Sequence, residues 1–134
     1  MDAVFVDTGA WFALVDRSDQ HHESAMKVFS NILPTRSLFT SNLVVSETYI
    51  LIRRALGHGA AIRFLESVSE SPRIKKVYST HPLEEIALEI LRRFSDQDFS
   101  YADAVSFAIM RQLDIKDAFA FDKHFATAGF SLLS

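Results

Sequence analysis

A three-layer α/β/α sandwich around a central, mainly parallel sheet is the fold this sequence predicts, on three observations. Short apolar runs alternate along the chain with amphipathic stretches of helical spacing, the order that builds a parallel sheet covered on both faces. The 134 residues, 49% hydrophobic and 23% charged, suit one compact domain over residues 1–134, with no repeat, linker or low-complexity tract. Finally, four carboxylates, Asp7, Glu47, Asp103 and Asp122, each lie in an apolar stretch where a predicted strand ends or a helix begins. Those positions share one rim of such a sheet, the rim where these folds place ligands.

Taken in order, Ala3–Val6 reads as a buried strand and Thr8–Val15 as a helix, with Asp7 at the junction. His21–Leu33 is a second helical stretch, closed by Pro34. Ser37–Thr40 is a short strand before a Ser41-Asn42 cap, and a long helix, Leu43–Leu56, follows. Gly57-His58-Gly59 breaks that helix, Ala60–Ser69 forms another, and Ile74–Tyr78 is a strand entered after Pro72. Pro82 starts a helix carrying Leu83, Ile86, Ala87, Ile90 and Leu91 at helical spacing to about Phe94. A polar loop, Ser95–Ser100, leads to Tyr101–Leu113, which is apolar on several faces. Ala118–Phe121 is a strand, Lys123–Ala128 a short helix and Phe130–Leu133 an edge strand.

Composition excludes several chemistries. Without cysteine there is no disulfide, thiolate nucleophile or zinc–thiolate site. No uncharged apolar run reaches about 18 residues, and Asp7 interrupts VFVDTGAWFALVD before a signal-peptide core forms. The expected location is therefore cytoplasmic, with no membrane partner. A formal charge of −3 removes simple attraction to a polyanion, and the pairs Arg53-Arg54, Lys75-Lys76 and Arg92-Arg93 read as solvated helix faces or ends. His21, His22 and His124 show no zinc-site spacing and read as cap or surface residues.

Each acid has a structural alternative. Asp7 suits the cap of the helix that follows it, and Asp122 suits a turn. Asp103 completes a capping box, Ser100-Tyr-Ala-Asp103, yet is the one charge between Phe99 and Met110, so its carboxylate points into a crowded pocket. Glu47 is harder to explain structurally, because Leu43 and Leu51 at i−4 and i+4 place it on the apolar stripe of its helix. Gathered in one pocket, four carboxylates repel one another and need a cation. All-oxygen ligation suits Mg²⁺ or Mn²⁺, which neutralise charge building on a phosphodiester, as in nucleases and phosphatases.

At this point the chain resembles a known family. VFVDTGAWFALVD, NLVVSETYILI, DQDFSYADAVSFAIM and AFAFDKHFATAGF are similar, in order and spacing, to the four signature segments of PIN-domain ribonucleases, in particular the VapC toxins of toxin–antitoxin pairs. The likeness runs from about Val4 to Leu132. It implies that Asp7, Glu47, Asp103 and Asp122 form a catalytic acidic quartet, with Asp7 and Asp103 the firmest metal ligands and Thr8 orienting water or phosphate. It further implies hydrolysis of RNA by metal-activated water, leaving 5′-phosphate and 3′-hydroxyl ends. The implied substrates are structured RNAs such as tRNA or rRNA, cut at single-stranded loops. A homodimer and a small antitoxin, whose tail crosses the active-site groove, complete the implied picture. Trp11 and Phe12 either line that groove or belong to the core. Two alternatives stand beside this: a non-catalytic RNA- or protein-binding module with a structural metal, and a phosphatase of small phosphoesters. The second lacks an aspartate two residues after Asp7, where Gly9 stands.

Overall fold

The computed structural model describes residues 2–134. Strand β1 (Ala3–Val6) leads into α1 (Thr8–Val15) and α2 (His22–Ile32), and β2 (Ser37–Ser41) leads into α3 (Asn42–Leu56) and α4 (His58–Glu70). β3 (Ile74–Val77) precedes α5 (His81–Arg93) and α6 (Tyr101–Gln112), and the chain closes with β4 (Asp117–Phe119), α7 (His124–Thr127) and β5 (Ser131–Leu133). The strands lie in the order β3-β2-β1-β4-β5, and every neighbouring pair is parallel. From the central β1 the chain steps outward to β2 and β3, then crosses back to β4 and β5. The reversal opens a crevice at the C-terminal ends of β1 and β4. Register pairs Val6 with Phe119, and the Asp7 N–H donates to the Phe119 carbonyl at 3.0 Å, so the residues leaving the two strands emerge side by side.

Helices α1 to α4 pack on one another, as do α5 to α7, and with the strand order reversing at β1 the right-handed rule for parallel crossovers places the two groups on opposite faces of the sheet. Phe5, Phe107, Phe119 and Phe125 are fully buried, with the Phe107 and Phe125 rings edge to face at 4.9 Å. Every residue of α6 from Ala102 to Met110 is buried. That is why this helix shows no polar stripe: it is enclosed on all sides.

Local chemistry sets the boundaries. Ser41 caps α3 by accepting from the Val44 N–H at 3.0 Å, and Thr80 caps α5, with Pro82 in the first turn. The expected three-residue break between α3 and α4 shrinks to Gly57 alone, because its φ of +96° turns the chain within one residue, so α4 starts at His58 rather than Ala60. β4 ends at Phe119, two residues earlier than expected, and Phe121 leaves the sheet to stack on His21 at 4.2 Å with planes 5° apart. Two basic pairs occupy the last turns of α3 and α5, where the helix dipole favours them. Lys75 and Lys76 instead sit on the edge strand β3, over the rings of Phe39 and Tyr78. Trp11 belongs to the core, 4% exposed, and its Nε1–H donates to Thr40 Oγ1 at 3.2 Å.

Candidate metal centre

Asp7 stands at the junction of β1 and α1, in extended conformation, with its backbone carbonyl accepting from the N–H groups of Ala10 and Trp11. Its side chain makes no capping hydrogen bond. The residue is only 7% exposed, so its carboxylate is held in the crevice rather than offered to solvent. Burial pushes the carboxyl up to about 7, against the pull of the Thr8 backbone N–H, and the charges of Asp103, Asp122 and Glu47 push the same way as burial. Those three neighbours are the acids that the sequence singles out.

Asp103 both caps its helix and faces the crevice. The capping box is formed: Asp103 Oδ2 accepts from the Ser100 N–H at 3.0 Å, and Ser100 Oγ accepts from the Asp103 N–H at 2.9 Å. The same carboxylate, nearly buried, faces the crevice and lies 3.2 Å from His124 Nδ1. Asp122 likewise shapes a turn, its Oδ1 accepting from the His124 N–H at 2.9 Å, while its Oδ2 lies 3.2 Å from the same imidazole nitrogen.

Glu47 requires a correction. It is exposed, not on the apolar stripe of α3; the buried face is Val44, Val45, Thr48 and Ile52, and Leu51 itself is 41% exposed. Glu47 reaches the crevice from the rim instead, its Oε1 accepting from Thr8 Oγ1–H at 3.2 Å. Partial desolvation raises its carboxyl above the ordinary range, with the Thr8 hydrogen bond opposing and Asp103 adding to the rise. Thr8 thus touches the site through Glu47.

His124, read from sequence as a cap or surface residue, belongs to the site. The signal available was its position two residues beyond an acid at a strand end. Among the described residues, Asp103, Asp122 and His124 each offer a ligand atom, all within 4.8 Å of one another. No lysine or arginine among the described residues pairs with any of the four acids. A buried carboxylate facing three others, without a cationic side chain beside it, fits a hard divalent cation.

The fold and its acid-lined crevice define a class, the PIN domains: that family matches residues 4–131, and the chain belongs to it. It is 39% identical over 127 residues, 95% of either chain, to the 23S rRNA-specific endonuclease VapC20 of Mycobacterium tuberculosis. The crystal structure of that VapC20, a sarcin-ricin loop cleaving toxin, matches with a TM-score of 0.88 over 95% of both chains at 38% identity. The chain is also 29% identical over 128 residues to a VapC ribonuclease of Archaeoglobus fulgidus, covering 92% of this chain and 80% of that one. VapBC2 of Rickettsia felis, crystallised with a DNA fragment from its promoter, matches with a TM-score of 0.73 over 97% of this chain and 96% of that one. At 9% identity that likeness concerns the fold alone.

Proposed function

We propose that this chain is a divalent-metal-dependent endoribonuclease and the toxin of a toxin–antitoxin pair, with Asp7, Asp103, Asp122 and Glu47 as metal ligands. The observation that carries this is the buried Asp7 carboxylate facing the other three acids, in a domain 39% identical to an rRNA-specific endonuclease. Mg²⁺ or Mn²⁺ bound there would supply an activated water and offset the charge that builds on the phosphodiester. The chain's own residues supply position. The capping box fixes Asp103, and the turn onto the His124 N–H fixes Asp122. Thr8 holds the Glu47 side chain towards the crevice through its hydroxyl. Attack of water at phosphorus, with the 3′-oxygen leaving, gives 5′-phosphate and 3′-hydroxyl ends without a covalent intermediate.

The substrate class is structured RNA, an rRNA loop above all, supported by the 23S rRNA specificity of the Mycobacterium tuberculosis relative. An antitoxin is the expected protein partner. A groove of about 680 Å³ lined mainly by apolar residues, among them Leu14, Met26, Phe29 and Leu56, supports this, since apolar grooves take the apolar face of an amphipathic helix. A homodimer is the expected assembly, and analytical ultracentrifugation checks it.

The test is incubation of the purified chain with 23S rRNA and Mg²⁺ or Mn²⁺. Wild type is expected to cut at a discrete site, and chelator or Asp7→Asn is expected to abolish cutting while the circular dichroism spectrum is unchanged. Equal cutting by Asp7→Asn removes the mechanism. A folded wild type that binds metal yet cuts no RNA favours the non-catalytic module.

A further inference from the structure

We infer that His124 is a nitrogen ligand of the divalent ion at this rim and biases the centre away from Mg²⁺ towards first-row transition ions such as Mn²⁺. The inference rests on the metal-dependent function proposed above. Its basis is geometry. His124 Nδ1 lies 3.2 Å from Asp103 Oδ2 and 3.2 Å from Asp122 Oδ2, and ligand atoms of the three residues lie within 4.8 Å of one another. In an octahedral site with bonds of about 2.1 Å, adjacent ligand atoms stand about 3.0 Å apart and opposite ones about 4.2 Å. The two nitrogen-to-oxygen distances match adjacent positions.

Hydrogen bonding serves only part of the cluster. The imidazole Nδ1 meets hydrogen-bond geometry to Asp103 Oδ2 alone, while Asp122 Oδ2, equally near, gains no such bond from it; an ion among the three atoms serves them all. Each ligand is also held from behind. Asp103 Oδ2 is held by the Ser100 N–H and Asp122 Oδ1 by the His124 N–H. The His124 ring packs edge to face against Phe99 at 5.3 Å and 73°. Such outer contacts fix the orientation of metal ligands. Asp7, only 7% exposed, adds a carboxyl close enough to feel the charges of Asp103, Asp122 and Glu47. Mg²⁺ binds through oxygen, while imidazole suits transition ions, so a nitrogen in the set shifts the preference.

The experiment is electron spin-echo envelope modulation of Mn²⁺ bound to the full chain, in wild type and His124→Gln. Wild type is expected to show nitrogen modulation from a coordinated imidazole, and the variant to lose it. In competition titrations the variant is expected to bind Mn²⁺ about tenfold more weakly, with Mg²⁺ affinity little changed. Mn²⁺ bound to wild type without nitrogen coupling overturns the assignment and leaves the ribonuclease proposal standing. Failure of any divalent ion to bind overturns both. The wild-type spectrum decides the ligand question even if the variant does not fold.

Discussion

Replacing Asp7 by Asn is expected to stabilise the metal-free protein at alkaline pH. Burial, opposed by the Thr8 N–H and reinforced by three neighbouring acids, lifts this carboxyl from its ordinary 3.8 to about 7. The folded protein therefore keeps the proton over a pH range in which the unfolded chain has lost it. The stability involved is whole below pH 3.8 and is lost as pH rises through about 7. At about 1.4 kcal/mol per pH unit, the rise sets a ceiling of about 4 kcal/mol on the loss at pH 8. Relaxation of the open side of the crevice reduces the expected gain for Asp7→Asn to about 1–3 kcal/mol. Urea unfolding followed by circular dichroism in chelator, at pH 4 and pH 8, measures it. The variant should gain over wild type at pH 8 and match it near pH 4. A variant less stable than wild type at pH 8 would refute the reasoning, because the ionised carboxylate would then be making a stabilising contact.

Other outcomes follow from the same geometry. Adding Mg²⁺ or Mn²⁺ at a hundredfold excess over its dissociation constant should stabilise wild type by about 2.7 kcal/mol, and a variant carrying both Asp7→Asn and Asp103→Asn should gain little; thermal melts check this. Asp103→Ala should be less stable than Asp103→Asn by about 1 kcal/mol, because Asn keeps an acceptor for the Ser100 N–H and Ala does not. Denaturant titration of the two variants distinguishes them. Gly57→Ala should cost about 1–3 kcal/mol, since φ of +96° with ψ of 174° is a conformation nearly confined to glycine, although a methyl group there meets nothing within 4 Å. Stability equal to wild type would remove the backbone argument.

The residues that were readable from sequence were those whose environment is set by near neighbours. Val4, Phe5 and Val6 form an unbroken apolar run ended by Asp7, and β1 and α1 fall at the expected boundaries. Ser100 and Asp103 are three residues apart, so their capping box was visible as a local pattern. For Glu47 the spacing of Leu43 and Leu51 points to the wrong face, because tertiary packing buries the Val44, Val45, Thr48 and Ile52 face instead. Large apolar residues can stand on the wet side of a helix, as Ile50 at 37% and Leu51 at 41% exposure do, so their spacing alone does not fix the face. His124 was missed for another reason. Its place two residues after Asp122 is the one local sign; its contact with Asp103 spans 21 residues and exists only once α6 and the turn after β4 share a rim.

Anomalous diffraction from a Mn²⁺-soaked crystal of this chain is the most direct test of one shared cation at the sheet's C-terminal rim. A peak should appear in the crevice, about 2.1 Å from carboxylate oxygens of Asp7, Asp103 and Asp122. A soaked crystal with an empty crevice, or with Mn²⁺ only on an outer surface, would contradict it.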